Sequence, residues 1–282
     1  MASSFEIKKE MCEIGRRIYQ NGFVAANDGN FSVKAGENEF YCTPTGVSKG
    51  FMTPDMILKV DKQGRLLEPN SKYRISSEFK MHLGVYRNRP DVNAVVHAHP
   101  PVATAHAVCG KALNSMIMPE VIIFLGDVPL TDYGTPSTEE IPNAIEGAIQ
   151  NHDAVLLENH GALSVGINLT QAYFRMETLE YWAKINLYAA QLGGANELNQ
   201  NQVKRLVQLR SEMKLPGRHP GCPTCKNNGT PSCHSNTGVA NSCREVAPAS
   251  RPVSPAPAAA PALDEETIRA VTRQVMAALG RG

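Results

Sequence analysis

The chain has 282 residues, of which 42% are hydrophobic and 20% charged, and its formal net charge at pH 7 is +1. This length suits one large domain or two small ones, and so balanced a charge gives no electrostatic reason to expect binding to nucleic acid or to an anionic membrane surface. No apolar run approaches the roughly 20 residues of a membrane span, and the N-terminus lacks the apolar core of a secretory signal, so we expect a cytoplasmic protein.

The first part of the chain mixes helical and strand patterns. Apolar residues at helical spacing predict a helix over residues 4 to 21. Two apolar runs, 56–60 and 65–67, flank a polar turn and predict a hairpin. A helix through about Arg89 follows, and Ser76 or Ser77 is a suitable N-cap for it.

Four more helices are predicted further along, the first of them from Val102 to Cys109. The run Ser-Thr-Glu-Glu at 137–140 is typical of a capping box and predicts a helix to about Asn151. Two further helices are predicted at about 169–192 and 199–214. Since strands and helices are mixed with several hairpin-like connections, the pattern favours a layered α/β domain over a strictly parallel, doubly wound one.

A short apolar run carries two histidines. His97 and His99 lie in Val-Val-His-Ala-His, and Pro100 and Pro101 end the run, which indicates a buried strand. Because alternate residues of a strand point to the same face, the two imidazoles would face one point and suit a tetrahedral metal. Two unrelated core or surface histidines are the alternative interpretation, since one pair alone leaves a metal under-coordinated.

Two further residues complete a candidate metal site. His160 lies in a predicted turn between two strands, and Glu78 lies at the start of a predicted helix. Three histidines with an open fourth position are typical of a catalytic zinc site, and a nearby carboxylate can act as a ligand or as an acid and base.

Small residues in turns form the second recurring feature. The pairs Gly29-Asn30, Thr45-Gly46 and Ser76-Ser77 offer backbone N–H groups and short polar side chains. The last pair also lies at a helix N-terminus, where an anion is favoured. Ordinary turn chemistry explains each pair taken alone.

Together these stretches resemble the class II aldolase/adducin family, and in particular its L-fuculose-1-phosphate aldolase branch. Order and spacing match over about residues 5 to 213. The matching motifs are DGNFS (28–32), TPTG (43–46), SSEFKMH (76–82), RPDVNAVVHAHP (89–100) and ENHG (158–161).

The resemblance implies a layered α/β/α fold with a mixed, largely antiparallel central sheet, and it implies roles for the site residues. A zinc ion, Zn2+, would be held by His97, His99 and His160. Glu78 would be the fourth ligand at rest and the catalytic acid and base once substrate displaces it. The substrate phosphate would be bound by Gly29, Asn30, Thr45, Gly46, Ser76 and Ser77.

Quaternary structure is also implied by the resemblance. Family members are homotetramers with sites at subunit interfaces, and the aldolases use a tyrosine from the neighbouring subunit. The corresponding region, residues 116–130, contains no tyrosine, and Tyr133 does not match that position cleanly.

The activity implied is retro-aldol cleavage of a phosphorylated ketose. The substrate would be a 6-deoxyketose 1-phosphate, fuculose or rhamnulose phosphate, and the products dihydroxyacetone phosphate and lactaldehyde. The same fold carries 4-epimerases, a dehydratase, decarboxylating enzymes and non-catalytic adducin domains. Glu78 favours the aldolases, because the comparable epimerases usually have Asp there.

The composition changes at about residue 217, which divides the chain into a catalytic domain (1–216), a linker (217–262) and a terminal helix (263–280). The linker is rich in Pro, Ala, Ser and Gly and is expected to be flexible. An apolar stripe at helical spacing follows Asp264, so residues 263–280 form a predicted amphipathic helix.

This helix on its tether resembles the encapsulation peptides that carry enzymes into bacterial microcompartments. The resemblance implies shell proteins as partners and a place inside such a compartment. Docking on the protein's own oligomer and binding to a membrane surface are the alternatives, although the acidic residues among its polar positions disfavour the membrane.

Seven cysteines are present. In a reducing compartment, Cys12, Cys42 and Cys109 are expected to be buried thiols. The other four lie in the predicted linker and include one zinc-like CxxC pair, so a small metal site and a mobile, cysteine-bearing linker both remain open. These four are Cys222, Cys225, Cys233 and Cys243.

Overall fold

A seven-stranded sheet organises the part of the chain that the computed structural model describes, residues 3–218. Its spatial order is β3-β2-β1-β4-β7-β6-β5, and every pair is antiparallel except β5 with β6. The strands are β1 Asn30–Gly36, β2 Glu39–Cys42, β3 Leu58–Val60, β4 Ala94–Ala98, β5 Leu130–Thr131, β6 Ala154–Leu157 and β7 Gly161–Gly166.

Helices cover both faces of this sheet. Helices α2 and α5 pack on one face, while α1, α3 and α6 pack on the other. The helices are α1 Ser4–Gln20, α2 Phe79–Asn88, α3 Pro101–Val108, α4 Pro119–Phe124, α5 Glu140–Ile149, α6 Leu169–Gln191 and α7 Gln200–Glu212. The expected layered α/β/α fold with a mixed, largely antiparallel sheet is therefore confirmed.

The strand β4 lies in the middle of the sheet, between β1 and β7. Its residues alternate between the two cores: Ala94, Val96 and Ala98 pack with the α1/α6 side, and Val95 packs with the α2/α5 side. This period-two pattern is the physical reason why an almost wholly apolar run forms a central strand. It also places His97 on the α2 side of the sheet.

The observed helix boundaries agree with the predicted ones for the long helices, in which apolar residues recur at helical spacing over several turns. The helix α1 begins after a complete capping box, in which Ser3 and Glu6 satisfy each other's backbone N–H groups. The two predicted helices after residue 168 correspond to α6 and α7, and Asn168 and Asn199 cap them.

Two predicted caps are wrong. The residue at the N-cap position of α2 is Glu78 instead of Ser76 or Ser77, and neither serine caps the helix. The predicted capping box does not form, because Ser137 has a left-handed φ of 71° and α5 begins only at Glu140. The hydroxyls of Ser77 and Ser137 bond to each other, and that of Ser76 accepts the backbone N–H of Glu78, at 3.4 Å, so tertiary packing overrides the local preference.

The predicted hairpin is only partly present. Of its two arms, the first contains β3, whereas the second contributes a single bridge between Val60 and Leu66. The turn is held by Asp61, whose Oδ1 accepts the backbone N–H groups of Gln63 and Arg65. The strand β3 is the edge of the sheet, so the second arm of the hairpin would be paired on one side only.

Cysteine burial is confirmed for two of the three scattered thiols. Cys12 and Cys42 are buried, but Cys109 is exposed because it lies just beyond the exposed C-terminal end of α3. None of the helices between residues 3 and 218 combines the length and the apolar character that crossing a bilayer requires. The predicted linker from residue 219 onward, its four cysteines and the helix 263–280 lie outside the described residues.

Candidate metal and phosphate site

The site is built around His97, which is fully buried in β4. Its Nδ1 donates a hydrogen bond to the carbonyl oxygen of Ala162 on β7, at 2.9 Å. This bond fixes the proton on Nδ1 and leaves the lone pair of Nε2 free to bind a metal. Burial lowers the pKa of His97 to about 3, so the ring stays neutral, as a metal ligand must be.

His99 and His160 close a three-histidine cluster with His97. The Nε2 atoms of His97 and His99 lie 3.2 Å apart, and the ring centroids are separated by 4.8 to 5.1 Å. His99 lies one residue beyond the end of β4 yet keeps the alternation of the strand, so the two imidazoles face one point as predicted. The third ring comes from the turn between β6 and β7.

The tight turn that carries His160 requires a glycine. A Cβ atom on Gly161 would lie 2.6 Å from Cδ2 of His99 and 2.7 Å from the carbonyl oxygen of Ala98. The preceding Asn159 has a left-handed φ of 54°, which asparagine tolerates better than most residues. The sequence Asn-His-Gly therefore brings the third histidine against the first two.

Glu78 faces the cluster from the N-terminal end of α2. Its Oε2 lies 3.6 Å from Nε2 of His97, and its Oε1 lies 3.3 Å from Nε2 of His160. Burial alone would raise the pKa of Glu78, but the hydrogen bond from His160 and the neighbouring His97 outweigh it and hold that pKa well below its usual range. The carboxylate is therefore ionised and able to bind a cation.

The distances among these groups fit a tetrahedral metal. Two ligands at the zinc bond length of about 2.0 to 2.1 Å lie about 3.3 to 3.4 Å apart around a tetrahedral ion. The His97–His99 separation of 3.2 Å and the Glu78–His160 separation of 3.3 Å agree with that spacing. Three converging imidazoles beside an ionised carboxylate thus suit a divalent ion, and His97, His99 and His160 form a candidate metal site on geometry.

A chain of buried hydrogen bonds supports Glu78 from behind. Its Oε2 accepts from Nδ2 of Asn30 at 2.6 Å, and Oδ1 of that amide accepts from Nε2 of His82, also at 2.6 Å. The other ring nitrogen of His82 accepts from the hydroxyl of Ser32 at 2.7 Å, which in turn accepts from Tyr86 at 2.8 Å. An ionised carboxylate can only accept hydrogen bonds, so Asn30 must donate to Glu78 through its NH2 group. This fixes the orientation of the amide, and with it the donor and the acceptor in each of the following bonds.

A polar cavity of about 250 Å³ opens beside this cluster. Its wall includes His99, His160 and Glu78, together with the turns predicted to bind phosphate. The lining residues are Asn27, Asp28, Gly29, Asn30, Pro44, Thr45, Lys49, Ser76, Ser77, Glu78, His99, Pro136, Ser137 and His160. The predicted metal site and most of the turns predicted to bind phosphate therefore border one cleft.

The structure brings together most of the residues predicted to bind phosphate. Five of the six line the cavity, whereas Gly46 does not. Gly29 is required by its surroundings, because it has a φ of 72° and a Cβ there would lie 2.6 Å from Val24. The side chain of Asn30 is engaged by Glu78 and His82, so its role toward phosphate stays a prediction.

Sequence reasoning did not single out several residues of this site, and three of them bear on its chemistry. Lys49 and Ser137 line the cavity, and His82 holds the amide behind Glu78. His82 was visible as the last residue of the SSEFKMH motif, four positions after Glu78, which places both on one side of a helix. The hydroxyl of Ser137 donates to Ser77 at 2.7 Å. The sequence around Ser137 indicated only a helix cap, which does not form, and nothing in it predicted a place in the cavity wall.

Tyr133 does not contribute to the cavity. Its side chain is 53% exposed, and among the residues that the structure describes no tyrosine belongs to the cavity wall.

Comparison with known proteins places the chain in a family. The family model for the class II aldolase and adducin N-terminal domain matches residues 9–187. The chain therefore belongs to the class II aldolase and adducin family. The L-fuculose phosphate aldolase of Methanococcus vannielii is 38% identical over 178 residues, which cover 63% of this chain and 94% of the relative.

The chain is also similar to a protein with a different activity in its name, and to a solved structure of an aldolase. The 3-oxo-tetronate 4-phosphate decarboxylase of Escherichia coli K12 is 33% identical over 184 residues, covering 64% of this chain and 85% of the relative. A solved structure described as L-fuculose 1-phosphate aldolase is 30% identical, with a TM-score of 0.68, over 76% of this chain and 99% of that one. The expectation of a metal-dependent enzyme of the class II aldolase type is confirmed by these matches.

Proposed function

We propose that the protein is a zinc-dependent aldolase that cleaves a 6-deoxyketose 1-phosphate, fuculose or rhamnulose phosphate, into dihydroxyacetone phosphate and lactaldehyde. One observation carries the proposal. The carboxylate of Glu78 lies between His97 and His160, at the wall of a cavity that is also lined by the small-residue turns.

Zinc is the metal we propose for the three-histidine site. Imidazole nitrogens with a carboxylate in the fourth position form a common zinc donor set. When bound, zinc would supply Lewis-acid chemistry, drawing electron density from the substrate carbonyl as negative charge develops there. His97, His99 and His160 would hold it throughout the reaction, while Glu78 would leave when substrate oxygens arrive.

Glu78 then moves the proton at C3 of the substrate. In the cleavage direction a general base takes the C4 hydroxyl proton as the C3–C4 bond breaks, and the electron pair left on C3 takes a proton from Glu78, which has itself taken one up from solvent after substrate displaced it. In the condensation direction Glu78 removes that proton again. Asn30 holds Oε2 by a 2.6 Å hydrogen bond, so the carboxylate keeps one oxygen in place as the other is released.

The phosphate end of the substrate would lie at the other wall of the cavity. Ser76 and Ser77 present short hydroxyl groups immediately before α2, and Thr45 and Gly29 line the facing turns. The N-terminal end of a helix favours an anion, and small side chains let the backbone approach it closely. Gly46 adds a backbone position with a φ of 72° in the same loop as Thr45.

We propose that the protein is a homotetramer. The reaction needs a group that accepts the C4 hydroxyl proton, and a tyrosine of a neighbouring subunit would supply it. No tyrosine among the described residues lines the cavity, so a neighbouring subunit is a reasonable source. The outer face of α6 supports association, because Phe174, Tyr181 and Tyr188 recur every seven residues there and are 49%, 56% and 54% exposed. Light scattering of the purified protein tests this, and a monomer would refute it.

We also propose that residues 263–280 bind microcompartment shell proteins and place the enzyme inside such a shell. The basis is the predicted amphipathic helix, which the sequence separates from the catalytic domain by a Pro- and Ala-rich stretch. Deleting residues 263–282 should leave activity unchanged and abolish co-purification with shells. Unchanged co-purification would refute the proposal and favour docking on the protein's own oligomer.

A substrate panel tests the reaction itself. Purified enzyme with zinc would be incubated with fuculose, rhamnulose, ribulose and methylthioribulose phosphates, and with 3-oxo-tetronate 4-phosphate. Dihydroxyacetone phosphate from either deoxyketose phosphate supports the aldolase, and none from both refutes it. Release of carbon dioxide from the last compound would favour a decarboxylase, the function named for the Escherichia coli relative.

A further inference from the structure

A buried lysine joins two loops of the cavity wall. Lys49 begins a short 3-10 helix, Lys49–Phe51, and is only 1% exposed. Its Nζ donates to the carbonyl oxygens of Asn27 and Val47, at 2.8 Å each. The loop before β1 and the loop after β2 are thereby tied to one ammonium group.

No carboxylate lies within ion-pair distance of this ammonium in the described part of the chain, although those of Asp28 and Glu78 act on it at longer range. Among the ion pairs of residues 3–218, none involves Lys49, although buried charges are ordinarily paired. Two of its three N–H groups are used by the two carbonyl oxygens, which leaves one, and Lys49 belongs to the cavity wall. An unpaired buried cation beside an open polar cavity calls for an anionic ligand.

The charge state of Lys49 is set by its surroundings. Burial lowers its pKa to about 8, while the carboxylates of Asp28 and Glu78 act in the opposite direction. At neutral pH the ammonium form therefore prevails. Above about pH 8 the charge is lost.

The backbone of Lys49 packs against α1, and its buried side chain is held by two carbonyl oxygens. A Cβ on Gly15 would overlap the carbonyl oxygen of Lys49, and a Cβ on Gly50 would overlap the ring of Tyr19. Both glycines thus let α1 and the 3-10 helix approach closely. The position of Nζ is therefore defined before a ligand binds.

We propose that Lys49 is a phosphate-binding and positioning residue, which donates its third ammonium hydrogen to the substrate phosphate and holds the Asn27 and Val47 loops around it. This inference rests on the phosphorylated substrate of the proposed function. It adds a cation to a site whose predicted phosphate ligands are all uncharged.

The test uses the zinc-loaded, full-length enzyme and inorganic phosphate as the probe. Binding of phosphate would be measured by calorimetry for wild type, Lys49→Met and Lys62→Met, which removes a charge from an exposed turn. We expect Lys49→Met to weaken binding by about 10- to 100-fold, as loss of a charge-assisted hydrogen bond does, and Lys62→Met to match wild type. Zinc content should be unchanged in both variants.

A measurement on wild type keeps the test decisive if Lys49→Met does not fold. Sulfate carries a constant charge near neutrality, so its affinity reports on the protein alone. From about pH 7 to about pH 9.5 that affinity should fall by about tenfold or more as Lys49 deprotonates. Either a flat profile or a Lys49→Met variant that binds phosphate within about twofold of wild type would overturn the inference.

The outcome is separable from that of the substrate panel. If phosphate binding depends on Lys49 but neither deoxyketose phosphate is cleaved, the proposed reaction fails and the role of Lys49 stands. If either deoxyketose phosphate is cleaved and its KM is unchanged in Lys49→Met, the reaction stands and the role of Lys49 fails.

Discussion

Asn30 donates an Nδ2 hydrogen to Oε2 of Glu78 across 2.6 Å, and this one contact ties the first residue of β1 to the N-terminal end of α2. Because β1 also pairs with β4 through Asn30 and His97, the same residue lies beside a histidine of the metal site. His97, the carboxylate of Glu78 and the amide of Asn30 are thus held relative to one another by the pairing of β1 with β4 and by this hydrogen bond.

Replacing Glu78 by glutamine should separate metal binding from turnover. The amide keeps the shape of the side chain but cannot move a proton, so we expect zinc to be retained and kcat to fall by about a hundred- to ten-thousandfold. Glu146→Gln, on the exposed side of α5, serves as the control and should be unaffected. Full activity in Glu78→Gln would remove this residue from the mechanism.

Breaking the hydrogen-bond chain at Ser32 should reduce kcat without touching the site directly. Ser32→Ala leaves the buried Nδ1 of His82 without its donor, so the amide that holds Glu78 loses its fixed orientation. We expect kcat to fall by about tenfold, as loss of outer-sphere support commonly does.

Its control is Ser164→Ala, which removes an equally buried hydroxyl bonded to Ala172. Both variants should lower the free energy of unfolding by about 1 to 3 kcal/mol, measured by urea denaturation. An equal loss of kcat in the two variants would mean that the effect of Ser32 is general destabilisation.

An added methyl group at Gly161 should displace a metal ligand. A Cβ there would lie 2.6 Å from Cδ2 of His99, so Gly161→Ala must move that ring or the turn. We expect zinc affinity to fall by about 10- to 100-fold in a competition assay with a chelating dye. The control Gly147→Ala meets nothing within 4 Å and lies in a helix, where alanine is favoured by about 1 kcal/mol.

Metal analysis should find zinc at the three-histidine site and report on the cysteines as well. Chelation should abolish turnover and lower Tm, because a ligand that binds only the folded state stabilises it. His97→Ala should lose this metal, whereas His152→Ala, whose ring bonds to Ala148, should keep it. One zinc per chain favours a metal-free linker, and two favour a second site among Cys222, Cys225, Cys233 and Cys243.

Several features of the site followed from the residues themselves. Alternation in an apolar run predicted that His97 and His99 face one point, and the 3.2 Å between their Nε2 atoms confirms it. Small residues in turns predicted an anion site, and the cavity wall includes most of them. The alternation of His97 and His99 depends on neighbours along the chain, where backbone geometry decides the arrangement, whereas the three turns are distant in the chain and meet only because the fold brings them to one cavity.

Other features did not follow, because they depend on residues distant in the chain. The donors that support Glu78 come from β1 and from the far side of α2, and no local pattern pairs Ser32 with His82. Lys49 reads as an ordinary charged residue in a loop, and only its burial against α1 makes it part of the cavity. Local propensity also gave the wrong caps at Ser77 and Ser137, which bond to each other instead.

The sequence by itself determined the layered fold, the three histidines and the carboxylate of the metal site, because periodicity and motif spacing are properties of the chain. Only the tertiary structure decided how Glu78 is held, which hydroxyls face the cavity and where an unpaired ammonium lies. Those facts arise when β1, α1 and α2 pack together, since burial and hydrogen bonding between distant residues set both the charge and the position of each group.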